Sequence, residues 1–232
     1  PGNFNDIFLE RLFDTLIAAV IVFLVSYLVL PVWEHQKNKT LILKYIKAND
    51  KYFNRIIDIL NQKNIEIQDY KMSRKEAIIS LANLSDNFQK MLSDPKDQQK
   101  NLENIHLFVT TAHLFTAYVA SLSQYALKGE NYSEIDLSGW KNKINNELII
   151  AKSILENEKP EEKNTLSSEI STADQVDELL EKRKKEIREE EFLDRRDPKV
   201  ISHLTELKNI KELLELIYNE AREQRKIAKK LI

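Results

Sequence analysis

The residues of this chain that could do chemistry are two histidines on one helical stretch and a scatter of carboxylates. His106 and His113 lie seven residues apart, so they share a helix face but are separated by about two turns, roughly 10 Å. One metal ion does not bridge that distance, and zinc-binding helices present histidines four residues apart. We therefore interpret both as core or boundary histidines. None of the carboxylates lies in an apolar context that would obviously raise its pKa, and Asp14 is the nearest to an exception.

Other catalytic signatures are missing from the sequence. Its three glycines, Gly2, Gly129 and Gly139, cannot form a phosphate-binding loop, and no serine lies in a nucleophile elbow. The absence of cysteine excludes disulfides, zinc–thiolate sites and thiol catalysis. A net charge of −2 provides no basic field for nucleic acid. We expect no enzyme activity, no catalytic or metal-binding residues, no cofactor and no nucleic-acid partner.

The stretch LFDTLIAAVIVFLVSYLVLPVWE, residues 12–34, has a different character. Residues 16–33 contain no charge, and this length matches the ~30 Å hydrocarbon core of a bilayer at 1.5 Å per residue. Apolar residues lie on all sides, and Tyr27 and Trp33 suit a membrane interface. A signal peptide is a poor alternative, because the basic start and small-residue cleavage site are missing. The remaining alternative is a buried helix of a soluble domain.

The charges that flank this stretch predict its orientation. Five lysines follow it, at positions 37, 39, 44, 47 and 51, whereas Arg11 precedes it among acidic residues. The lysine excess places the C-terminal side in the cytoplasm. Arg11 and Asp14 lie three residues apart and can pair on one helical face, as an interfacial anchor.

The rest of the 232-residue chain predicts long helices, because it contains only three glycines and five prolines as breakers. Apolar periodicity places them at about 37–62, 69–92, 96–127, 138–157, 173–192 and 199–231. The inward face predicted for the helix at 69–92 includes Ile78, and that of the helix at 96–127 is formed by Ile105, Phe108, Val109, Ala112, Phe115, Val119, Leu122 and Ala126. The predicted fold is all-α: one transmembrane helix followed by a cytoplasmic bundle of long helices. The predicted domains are a transmembrane segment 1–36, a helical bundle 37–157, a linker 158–172 and a C-terminal helical hairpin 173–232 that packs on the bundle.

Two of the predicted helices carry the strongest patterns. The helix at 96–127 is the most apolar and is predicted to lie at the centre of the bundle. The last helix has heptad spacing over residues 207–231 with Gln224 as the polar exception, which fits packing within the bundle better than an intermolecular coiled coil. Because their apolar faces are complete without the transmembrane segment, we expect residues 37–156 to fold alone.

The apolar segment and the helices after it resemble the fusaric-acid-resistance-like (FUSC) family of inner-membrane proteins. RLFDTLIAAVIVFLVSYLVLPVWE is similar to the last transmembrane helix of one half of such a protein, YKMSRKEAIISLANLSDNFQKMLSDPK to a helix further downstream, and HLFTAYVASL to the helix that follows that one. The matching residues are Arg11, Asp14, Thr15, Leu16, Ile17, Pro31, Trp33, Glu34, Tyr70, Arg74, Lys75, Ala77, Met91, Asp94, Pro95, His113, Tyr118, Ser121 and Leu122. Ala18 stands where the family often has glycine.

The resemblance covers about residues 8–127 and implies a multi-pass inner-membrane transporter with a mostly cytoplasmic helical domain. It implies efflux of aromatic carboxylic acids or related small molecules. The expected partners are the other transmembrane helices of the same protein, membrane lipids and further copies of the chain in a homo-oligomer. Because the chain begins at Pro1, we expect it to be a piece of a longer protein with further spans upstream. The alternatives are a single-pass membrane-anchored scaffold that pairs through its heptads, and a wholly soluble bundle.

Overall fold

A computed structural model of the protein describes residues 4–28, 34–63, 65–130, 132, 135–157, 178, 181–182, 185 and 198–231. Within these residues the chain is all-α, which confirms the predicted fold class. The helices are α1 (Phe4–Leu28), α2 (Asn38–Leu60), α3 (Ile67–Met91), α4 (Leu102–Ala126), α5 (Leu137–Glu156) and α6 (Pro198–Lys230). Short 3-10 helices at Glu34–Lys37 and Lys96–Gln98 precede α2 and α4.

Helices α2–α6 form a bundle with two distinct ends. At one end, which we call the proximal end because it follows α1, the first residues of α2 and α4 meet the last residues of α5 and α6 around a cleft. The end of α3 lies there too, since Asn38 Nδ2 donates a 3.1 Å hydrogen bond to Met91 Sδ. At the opposite, distal end, Lys141 of α5 pairs with Asp58 of α2 at 2.9 Å. Helices α2 and α4 therefore run antiparallel to α3, α5 and α6.

Helix α4 lies at the centre of the bundle, packed against α2, α3 and α6. Its inward residues are those that the periodicity predicts, and all are buried: Ile105, Phe108, Val109, Ala112, Phe115, Val119, Leu122 and Ala126. A buried hydrogen-bond chain links three helices at this level. The Tyr45 hydroxyl donates to the Ala112 carbonyl at 3.0 Å, and Gln224 Nε2 donates to the Tyr45 hydroxyl at 3.3 Å. The Tyr45 hydroxyl is therefore satisfied within the core, whereas the buried Gln224 Oε1 has no hydrogen-bond partner among the described residues.

Helix α6 is an integral part of this core. Its heptad positions are buried against α4 and α5: Leu207, Ile210, Leu214, Ile217, Ala221, Gln224 and Ala228. The heptad stripe is therefore used inside one chain. Because α6 covers the inner faces of α4 and α5, the folding unit extends through α6 and is larger than residues 37–156.

Parallel packing of α5 and α6 has a consequence for the chain between them. The connection must lead from the proximal end, where α5 finishes, back to the distal end, where α6 begins. The predicted linker 158–172 and the helix at 173–192 lie outside the described residues apart from positions 178, 181–182 and 185. The predicted hairpin of residues 173–232 is therefore described only for α6.

Two local predictions differ from the structure. The helix predicted to start at residue 96 begins at Leu102, because Pro95 leads into a separate 3-10 turn at Lys96–Gln98. Helix α4 starts only after Asn101, which lies in the left-handed region with φ of 55°. Ile78, predicted to face inward, is 49% exposed. Helix α3 lies at the edge of the bundle and buries a narrow stripe through Ala77, Leu84 and Met91, to which Ile78 does not belong.

Candidate functional site

Helix α1 exposes an unbroken apolar surface. Every described side chain from Ile7 to Val25 is exposed, and Phe13, Val22 and Phe23 reach 61%, 68% and 67%. The core of α2–α6 is closed without it. Soluble proteins rarely leave a contiguous apolar surface of this size in water, and such a surface marks contact with a membrane or another protein.

The charges of α1 are confined to its N-terminal half. Asp6, Glu10, Arg11 and Asp14 lie there, and the residues from Thr15 to Leu28 carry no charge. The predicted Arg11–Asp14 ion pair is not formed. Instead, the Thr15 hydroxyl donates a 2.8 Å hydrogen bond to the Arg11 carbonyl, a bond that helices commonly make and that satisfies the hydroxyl without water. The uncharged half of α1 is thus about 21 Å long, and the sequence stays uncharged through Trp33.

By length and composition, one helix among the described residues is apolar enough to cross a membrane, and it is α4. Its apolar residues form the centre of the bundle, as described above. Burial in the core of the bundle explains the high hydropathy of α4 as well as insertion into a bilayer would. This criterion therefore gives weak support to membrane association, and the exposure of α1 is the stronger observation.

The two ends of the bundle differ in charge. The terminal helical turns and connections of the proximal end contain seven lysines and five carboxylates: Lys37, Lys39, Lys90, Lys96, Lys100, Lys229 and Lys230 against Glu34, Asp94, Asp97, Glu103 and Glu156. The described distal turns contain three lysines and five carboxylates: Lys63, Lys128 and Lys199 against Asp58, Glu66, Asp69, Glu130 and Asp136. The bundle is therefore polarised, with its more cationic end next to α1.

The proximal end lies close to the exit of α1. Helix α1 ends at Leu28 and the first 3-10 turn begins at Glu34, so about 20 Å is the longest distance that the connection can span. A cleft of about 320 Å³ opens at this end. It is lined by His35, Asn38, Lys39, Ile42, Lys100, Asn101, Ile105, Leu155, Asn157 and Leu231.

His106 and His113 both lie on α4 but make separate contacts. His106 stacks on Phe88 with ring centroids 5.4 Å apart. His113 Nε2 lies 2.8 Å from the Ser85 hydroxyl, which itself donates to the Leu81 carbonyl at 2.9 Å. Because that hydroxyl has one proton, it accepts from His113, and the histidine is not placed as a base that activates the serine. Within the described residues, no group of three or more His, Asp or Glu is placed to hold a metal ion.

Two acidic groups at the distal end, Asp58 and Glu206, have a lowered pKa. Lys128 Nζ and the Tyr132 hydroxyl donate hydrogen bonds to the two carboxylate oxygens of Glu206, at 2.6 and 2.8 Å. These bonds, that of Lys128 above all, lower the pKa of Glu206. Tyr132 also stacks on His203 with ring centroids 5.9 Å apart. The cluster joins the loop after α4 to α6, so its role is to hold the distal end of α6.

Comparison with known proteins identifies no relative. No family model, curated protein or solved structure matches this chain. The FUSC assignment therefore stays a prediction from the residues quoted above.

The structure shows where the residues of that resemblance lie. Tyr70, Ala77 and Met91 are buried on α3, whereas Arg74 and Lys75 are exposed. Pro31 and Trp33 lie outside the described residues. The matching residues on α3 thus divide between core packing and an exposed surface, and none of them lines the proximal cleft. Sequence reasoning did not find that cleft, because its residues come from the ends of four helices that are distant in the chain.

Proposed function

We propose that α1 crosses a bilayer and that α2–α6 form the cytoplasmic domain of a multi-pass inner-membrane transporter of the FUSC type. The observation that carries the membrane part is the exposure of every described side chain from Ile7 to Val25 beside a bundle whose core is already closed. The lysines that follow α1 favour a cytoplasmic bundle.

The energetics favour a bilayer around α1. Its 13 exposed large apolar side chains are each roughly half exposed. Burying them would contribute roughly 10–20 kcal/mol, at 1.5–3 kcal/mol for a fully buried side chain. A charged side chain costs about 3 kcal/mol at the centre of a membrane helix and less near an end, where Glu10 and Arg11 lie. The apolar gain therefore exceeds the cost of the charges.

The transporter part of the proposal is supported by the resemblance alone. A single span cannot form a transport pathway, so the pathway would include other transmembrane helices of the same protein or further copies in a homo-oligomer. In this proposal the bundle assembles or gates the membrane part. The substrates are aromatic carboxylic acids or related small molecules.

The single-pass scaffold alternative loses its main support. That alternative uses the heptad stripe of α6 to pair two chains, yet those side chains are buried against α4 and α5 of the same chain. Pairing through α6 would require the bundle to open.

Cysteine labelling tests the membrane part, because the chain has no cysteine of its own. We would introduce Val20→Cys in α1, or Lys71→Cys on the exposed surface of α3, and treat cells and inverted inner-membrane vesicles with a membrane-impermeant maleimide. We expect the Val20 variant to stay unlabelled until detergent is added. The Lys71 variant, as the matched control, should be labelled in inverted vesicles and not in intact cells. Labelling of the Val20 variant in a soluble fraction would contradict the proposal.

A further inference from the structure

The proximal cleft combines cationic side chains with an apolar floor. Lys39 and Lys100 line it, and the side chain of neither forms an ion pair or hydrogen bond within the described residues. No carboxylate is among the lining residues. Of the nearby acidic residues, Glu156 forms an ion pair with Lys152 at 3.8 Å. Neither Glu156 nor Glu103 is among the described residues that line the cleft. Among the described residues, the charged side chains that line the cleft are thus these two lysines.

Two further donors belong to the same cleft. The Nδ1 atom of His35 is buried and has no hydrogen-bond partner in the described part of the chain. A buried polar atom of this kind costs stability unless something binds it. Asn101 begins α4 in the left-handed region, and its side chain makes no capping hydrogen bond. The first N–H groups of α4 and the positive end of its dipole therefore face the region of Lys100.

The floor of the cleft is apolar. Ile42, Ile105 and Leu155 are buried there at 1%, 2% and 3% exposure, and Leu231 closes one side. The volume of about 320 Å³ lies at the lower end of the range for small-molecule sites. An inorganic anion would contact the cations and leave the floor unused, so a ligand with an anionic head and an apolar part fits better.

We propose that the proximal cleft binds the phosphate group of an anionic amphiphile. Lys39 and Lys100 bind the phosphate oxygens, His35 Nδ1 and the start of α4 donate further hydrogen bonds, and the apolar part of the ligand covers Ile42 and Ile105. Two sources share this chemistry, namely a phospholipid headgroup and a soluble phosphate ester. The lipid source rests on the proposed function, which places this end of the bundle within about 20 Å of the membrane.

The test is a calorimetric titration of the full chain in phosphatidylcholine nanodiscs. The probes are water-soluble dibutanoyl phosphatidic acid, glycerol phosphate and, as the uncharged-head control, dibutanoyl phosphatidylcholine. We expect saturable one-to-one binding of dibutanoyl phosphatidic acid. The Lys39→Gln/Lys100→Gln variant should bind it at least roughly tenfold more weakly, because two charge-assisted contacts are lost. The matched variant Lys71→Gln/Lys75→Gln, with the same charge change on the exposed surface of α3, should bind within about twofold of the parent.

The outcomes separate the sources and the two proposals. Tighter binding of dibutanoyl phosphatidic acid than of glycerol phosphate supports an amphiphile with the lipid source, whereas equal binding shows that the apolar part contributes nothing and overturns the amphiphile. Absence of saturable binding by both, or an equal loss in the Lys71/Lys75 variant, overturns the proposal. Because the probes are soluble, the titration can be repeated in buffer if α1 does not insert, so this proposal and the proposed function fail separately. Circular dichroism of each variant establishes that it is folded.

Discussion

Replacing Leu214 with alanine tests whether α6 belongs to the core of one chain. Leu214 is fully buried, so Leu214→Ala removes three carbon atoms from a closed core and leaves a cavity. Substitutions of this kind cost about 2.7–5 kcal/mol, depending on how far the surroundings collapse. For a chain of this size each kcal/mol lowers the melting temperature by about 2–4 °C, so we expect a decrease of roughly 5–20 °C. Leu216→Ala is the matched control, since Leu216 is 39% exposed on the same helix, and it should cost less than about 1 kcal/mol.

The assay is urea unfolding followed by the fluorescence of Trp140. This residue of α5 is 5% exposed and packs edge-on against Tyr218 of α6, with ring centroids 6.4 Å apart, so it reports the α5–α6 contact. A Trp33→Phe background removes the other tryptophan. The unfolding midpoint should not depend on protein concentration. A midpoint that rises with concentration, or equal losses for the two leucine variants, would refute the reasoning and favour pairing of α6 between chains.

Three further changes probe other parts of the molecule. Ala19→Asp places a charge in the uncharged half of α1 at a cost of about 3 kcal/mol, and carbonate extraction should find less of the variant in membranes. Glu206 has a lowered pKa, so its contribution to stability is present above its unfolded value of about 4.5 and is lost as the pH falls through the folded value. Stability measured against pH should therefore fall less steeply in acid for Glu206→Gln, whereas exposed Glu212→Gln should keep the parent profile. Gly129 has φ of 73° with open space around its Cα, so Gly129→Ala should cost about 1 kcal/mol in thermal unfolding through backbone strain alone. Gly139→Ala in the first turn of α5 should be neutral or stabilising.

The helices could be predicted where periodicity and local chemistry agree. All eight inward residues of α4 follow from its apolar spacing, and Asp136 caps α5 by accepting a 3.0 Å hydrogen bond from the Gly139 N–H. The start of α4 was placed too early, because proline fits both the first turn of a helix and the 3-10 turn that forms here. The periodicity predicts that Ile78 faces inward, because it does not show whether a helix lies at the centre or at the edge of a bundle. A helix at the edge, such as α3, buries a narrower stripe of side chains.

The two candidate sites, the apolar surface of α1 and the proximal cleft, also differ in how far the sequence predicts them. The apolar surface of α1 is continuous in sequence and was found from sequence. The proximal cleft was not, since Lys39 and Lys100 become neighbours only when α2 and α4 pack side by side. The cationic C-terminal stretch of α6 is visible in the sequence. Its position beside the start of α2 depends on the direction in which α6 runs, which the sequence does not show.

The position of α6 also affects how the protein is made. Its heptad residues fill the inner faces of α4 and α5, yet α6 leaves the ribosome after both of them. While it is still in the exit tunnel, the nascent chain exposes those faces, including the centre of α4. Contacts between segments so distant in sequence form slowly and leave apolar surface open in the meantime. A messenger that stops translation before α6 should therefore yield a polypeptide recognised by chaperones and proteases.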